Sequence, residues 1–267
     1  MKFDANIEDA LATVLKGHWQ SRLFLKGSEP TTSEIPEAWT SIDRKLYERF
    51  PYRSLPNRLL AGQFAEVVST RTSTRVFDIS APVPMETISA VLYTTLRDID
   101  RGSYVSRPYP SAGARYATEV YLIANRITEL PPALYHLDPT ACRLCTLFDD
   151  QQSIATANKC FTETTAVNPA GVLVFSAVLP RICVKYGARG YRFALLEAGA
   201  ACALTEIALE INELATVWIG GFADDLLAST LGFSMEAELE LPLVALAFGY
   251  RDKVDSQGRA QNPSPPP

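Results

Sequence analysis

Histidine is nearly absent: His18 and His136 are the only two in 267 residues. Neither stands near a Ser or Cys nucleophile motif, so the sequence offers no hydrolase triad. Cysteine is sparse and odd in number, at 142, 145, 160, 183 and 202. A scattered odd set does not make a disulfide framework. Cys142 and Cys145 form a CxxC, but no second pair follows at zinc-ribbon spacing, and LYHLDPTACRLCTLF reads as a hairpin. Those two cysteines are assigned to packing rather than to metal. No apolar run reaches the ~18 residues of a membrane span, and the first residues lack a charged-then-apolar signal pattern. Lys+Arg (25) fall short of Asp+Glu (30), a formal charge of −5. Neither a basic excess for nucleic acid nor a polybasic block for anionic lipid is present. The expectation is a cytoplasmic protein with no nucleic-acid and no membrane partner. What the chain does have is 47% hydrophobic and 21% charged residues, ample for a sizeable core in one or two domains.

The stretch RPYPSAGARYATEVYLIA, 107–124, has two halves. Pro108, Pro110, Ser111 and Gly113 make an irregular turn of small residues, and 117–124 reads as a buried strand. Ser111, Ala112 and Gly113 have so little side chain that backbone can lie against a flat ring; the plainer reading is an ordinary loop before a strand. Upstream, 6–19 has a helical apolar face, and 57–69 gives a second helical pattern after Pro56. In RTSTRVFD, 71–78, extended chain places Arg71, Ser73 and Arg75 on one face. Two guanidiniums and a hydroxyl there form either a phosphate clamp or a solvated charged segment. Pro84–Leu96 reads as a helix, 133–138 and 143–148 as a hairpin, and 151–159 as a short helix. The run GVLVFSAV, 171–178, reads as a fully buried strand.

From Tyr191 to Leu214 apolar residues recur at helical spacing without proline, with small residues at 198–201. This is the longest helix, either across a dimer interface or buried in a monomer. Residues 216–220 form a short strand ending in IGGF, where Gly220 and Gly221 permit φ > 0 and close approach to a ring, or simply turn the chain. Asp224 and Asp225 then open a helix, and 242–249 is the last core strand. Helices and strands mix without strict alternation, so the fold class is α+β. Residues 1–60 read as an arm or extension, 61–255 as the main domain and 256–267 as a Pro-rich tail.

Four pieces in order, R-x-S-x-R at 71–75, PSAGARY at 110–116, KYGARGYRFALLEAG at 185–199 and IGGFADD at 219–225, resemble the nitroreductase-like flavoproteins. More narrowly they resemble the SagB-type dehydrogenases, the FMN-dependent azoline oxidases of thiazole/oxazole-modified peptide biosynthesis. The resemblance covers roughly 65–250. It implies a mainly antiparallel sheet flanked by helices, and a homodimer with FMN at the subunit interface. Arg71, Ser73 and Arg75 match the segment that holds FMN. Pro110, Ser111, Ala112 and Gly113 match the turn along the flavin, often from the partner subunit. Gly220 and Gly221 match the glycines near the reactive ring edge, and Lys185 and Tyr186 the catalytic Lys-Tyr pair. The family's His after LLEAG and its following Gln-Asn pair are replaced by Ala200 and by Leu204 and Thr205.

By that resemblance the substrate is an azoline-containing peptide, with a cyclodehydratase complex as a further partner. Azoline becomes azole by losing two electrons and two protons: a base takes the hydrogen next to the peptide carbonyl while the neighbouring carbon gives hydride to the flavin. On a flat strand Lys185 and Tyr186 would point to opposite faces, so the chain must turn there; Gly187 and Gly190 allow it. Two other readings stand beside this one: a nitroreductase-like NAD(P)H:acceptor oxidoreductase, and a flavin-poor scaffold subunit of a heterocycle-forming complex.

Overall fold

The apolar run Gly171–Val178 becomes β6, a central strand of a six-stranded sheet. In the computed structural model, residues 5–21, 45, 49–51, 53–56, 58–161 and 166–252 are described; the Pro-rich tail and residues 22–44 lie outside them. The sheet also contains β3 (Thr118–Ala124), β4 (Ala133–Asp138), β5 (Arg143–Phe148), β7 (Ala215–Ile219) and β8 (Glu240–Gly249). Its order is β5-β4-β3-β6-β8-β7, with every pair antiparallel. A separate two-stranded pair, β1 (Ile99–Asp100) and β2 (Val105–Ser106), leads into the 107–117 turn.

Both faces of β6 are covered, which is why its sequence is apolar without alternation. Leu173 and Phe175 point to the face covered by α3 (Met85–Leu96) and α6 (Arg189–Ile211). Val172 and Val174 point to the other face, covered by α1 (Ala5–Ser21), α5 (Leu179–Tyr186) and α7 (Asp224–Leu231). The remaining helices are α2 (Gln63–Thr70) and α4 (Gln151–Lys159).

The α+β expectation holds, as do the hairpin, the buried strand and the short helix at 151–159. Three local expectations need correction. The helix expected at 57–69 begins only at Gln63, after Gly62 at φ 97; Leu59 and Leu60 are 75% and 73% exposed, so no burial rewards helix there. The long helix ends at Ile211 rather than 214, because Glu213 takes φ 62 and turns the chain into β7. Lys185 and Tyr186 lie not on a strand but on the last turn of α5, where Pro180 sits at the start of the helix.

Candidate active site

Arg107 builds the turn that carries Gly113. Its guanidinium donates to Asp98 (2.8 Å), to the Tyr109 hydroxyl (2.9 Å) and to the Thr118 carbonyl (3.0 Å). Its backbone N–H donates to the Tyr116 hydroxyl at 3.0 Å. Burial pushes the Tyr109 phenol up to about 12, against the pull of Arg107. The Tyr116 N–H donates to Ser111 Oγ at 2.9 Å, closing the loop on itself. From the far side Glu197 on α6 accepts the Thr118 N–H at 2.9 Å. The turn is therefore held rigidly, with Pro110, Gly113 and Ala114 exposed on its outer side.

Gly113 has φ 61, and a Cβ built on it would lie 2.6 Å from Lys185 Nζ and 2.6 Å from Tyr186 Oη. Two side chains from α5 thus converge on one glycine. On a helix consecutive residues are about 100° apart, not opposed, so both can reach the same turn. Gly187, at φ 54, stops α5 directly afterwards. Gly190 lets α6 pack against α5, since a Cβ there would meet Cys183 Sγ at 2.8 Å; burial pushes that thiol up to about 11. Tyr186 rests edge-on against Phe193 at 4.9 Å between ring centroids, and Lys185 Nζ lies 5.5 Å from the Tyr186 ring.

Arg71, Ser73 and Arg75 form a second group. The Thr74 N–H donates to the Thr216 carbonyl at 2.8 Å, fixing this segment beside β7. Arg71 faces Glu206 at 3.5 Å. Arg251, which sequence reasoning missed, donates to Thr72 Oγ1 at 3.3 Å, and its segment runs antiparallel to 76–78. Nothing in the spacing of the chain announced it, because 179 residues separate it from its partner.

Gly220 and Gly221 end β7. Neither takes a positive φ, so the reason to expect glycine there is space rather than backbone freedom. A Cβ on Gly220 would meet nothing within 4 Å. From Thr216 to Gly220 extended chain covers roughly 13 Å, which separates the arginine group from the open glycine.

Tyr186 of the Gly113 group meets α6 at Phe193, whereas Arg71 meets it at Glu206. From Phe193 to Glu206 the helix advances roughly 20 Å, so the two groups sit well apart along it within one chain. The outer face of α6 between them carries Leu195, Leu196, Gly199, Ala203 and Leu204; Leu196 is 64% exposed. Thr205 turns inward instead, donating to the Ala201 carbonyl at 2.8 Å.

A fold of this topology with such a site defines a class. The nitroreductase family profile matches residues 68–250; the chain belongs to that family and is an oxidoreductase. Microcin B17-processing protein McbC of Escherichia coli is 30% identical over 171 residues, 62% of this chain and 61% of McbC. A nitroreductase-type protein of Methanocaldococcus jannaschii is 23% identical over 186 residues, 70% of this chain and 90% of that one. Among solved structures, a chain of the E. coli microcin synthetase McbBCD complex with truncated pro-MccB17 bound superposes with a TM-score of 0.70. It is 23% identical and covers 92% of this chain and 94% of its own; at that identity it speaks to the fold. Among the described residues no helix is long and apolar enough to cross a membrane.

Proposed function

We propose that this protein is an FMN-dependent dehydrogenase that oxidises azoline rings of a peptide to azoles. The observation that carries the reading is the convergence of Lys185 Nζ and Tyr186 Oη on Gly113. It brings an amine and a phenol together at the turn whose exposed outer side would suit a flat ring. The similarity to McbC, a protein named for microcin B17 processing, supports a peptide substrate.

The residues fit FMN. Arg71, Ser73 and Arg75 would hold its phosphate, with Arg251 beside them, and the open space over Gly220 would receive the ring system. FMN, when bound, supplies the acceptor for the hydride. The chain supplies the rest. The Lys185–Tyr186 pair removes the proton next to the peptide carbonyl, and the turn 110–113 excludes water from one side of the reacting ring. A homodimer would bring the arginine group of one chain to the Gly113 group of the other. The exposed apolar face of α6 supports that pairing, because a patch of this kind favours association. The McbBCD complex supports a cyclodehydratase-type assembly as the wider setting.

The test is cofactor identity together with two variants. FMN should be released from the purified protein. Lys185→Ala and Tyr186→Phe should keep FMN and lose turnover by roughly 10²–10⁴-fold, the usual worth of general acid–base catalysis. A colourless protein that takes up no added FMN would instead favour the scaffold reading. Full activity in both variants would remove the pair from catalysis.

A further inference from the structure

A cleft of about 570 Å³ opens between the residues after Gly113 and α5, lined by Arg115, Val178, Pro180, Arg181, Val184 and Leu239 together with Glu238. We propose that it is a subsite for the peptide segment flanking the reacting ring, and that it selects an acidic side chain there. The proposal rests on the function given above.

Two of its walls are the elements that carry the candidate catalytic group. Arg115 follows Gly113 by two residues, and Arg181 and Val184 share α5 with Lys185. Arg115 Nε donates to the Arg181 carbonyl at 2.7 Å, pinning the turn to α5 at the cleft wall.

The Arg181 guanidinium is committed to Glu119 and to the Tyr116 carbonyl. Glu238 accepts the Ser234 N–H at 2.9 Å, which ties that carboxylate to its own turn. Arg115 is exposed and uses only Nε among the described residues, so its two terminal amines remain for a ligand. The remaining lining is apolar, and Val184 is 50% exposed on it. An apolar floor with one uncommitted guanidinium suits a peptide carboxylate, which a planar guanidinium can engage through two parallel hydrogen bonds. Two residues separate Arg115 from Gly113, at most roughly 7 Å of chain. That is the span of about two extended peptide residues, so the selected acid lies about two positions from the ring.

Three azoline peptides that differ only at that position, as Glu, Gln or Lys, test the idea by binding titration and by KM and kcat. The Glu peptide should bind about tenfold tighter than the Lys peptide, with the difference in KM and not in kcat. Arg115→Glu should reverse the order of binding. Val184→Asp, which keeps the Arg115–Arg181 bond, should weaken the Glu peptide selectively. Equal affinities for the three peptides, or an order unchanged in both variants, would overturn the subsite. If no peptide is oxidised, the dehydrogenase reading falls; the binding order still decides the subsite.

Discussion

At Glu240, burial and two donors compete over one proton. The carboxyl is 6% exposed and accepts from Tyr121 Oη at 2.8 Å and Ser176 Oγ at 2.5 Å. Burial holds it above its ordinary value of 4.5, against the opposing pull of those donors. Between the ordinary and the raised value the native state binds more protons than the unfolded chain. Stability therefore falls as pH rises through that window. Glu119 has the opposite sign: burial works to raise it, but His136 and Arg181 outweigh that and hold it low. Its contribution is lost as pH falls through the carboxylate range. Glu240→Gln should keep both hydrogen bonds and lose less melting temperature than the parent between pH 5 and pH 8; melting curves at both pH values measure it. Equal losses in the two proteins would contradict this account of Glu240. None of this was legible in the sequence. Glu240 meets partners 119 and 64 residues away, and only strand register brings them together. By contrast the alternation of Arg71, Ser73 and Arg75 was visible in the sequence, because a short extended segment fixes its own faces, although the alternation left a phosphate clamp and a solvated charged segment both open.

At the scale of elements, α5 is the piece that sequence periodicity hid. LPRICVKY follows an eight-residue apolar strand without a break, and eight residues are too few for a strong helical pattern. Pro180 was the available signal, since proline suits a first helical turn. Gly113 was readable as special, but its reason was not. The structure ties it to the tips of Lys185 and Tyr186. Gly113→Ala should fold and retain the turn, since its neighbours are flexible ends of side chains. The new methyl should displace both tips, and at φ 61 should cost about 1 kcal/mol of stability. Turnover is expected to drop at least tenfold with flavin content unchanged, read from kcat alongside the bound-flavin spectrum. Wild-type kcat in this variant would separate the glycine from the catalytic geometry.

At the scale of the whole molecule, the account depends on two chains. The arginine group and the Gly113 group meet α6 roughly 20 Å apart, and the face between them is apolar and exposed. The small residues at 198–201 left a dimer interface and a buried helix both open in the sequence. In the structure Ala198 and Ala201 are buried in the core and Ala200 packs against it, while a Cβ on Gly199 would meet open space. Leu196→Arg should yield a folded monomer that has lost its FMN, seen as a halved mass in light scattering with intact circular dichroism. A dimeric, flavin-loaded variant would show that the cofactor site does not need this face.

The most direct measurement mixes the flavin-loaded protein with an azoline peptide in the absence of oxygen. The account predicts that the flavin colour bleaches, with one azole formed per flavin bleached. Bleaching by NAD(P)H but not by the azoline peptide would contradict it, and would make the protein a nicotinamide-dependent reductase of the same family.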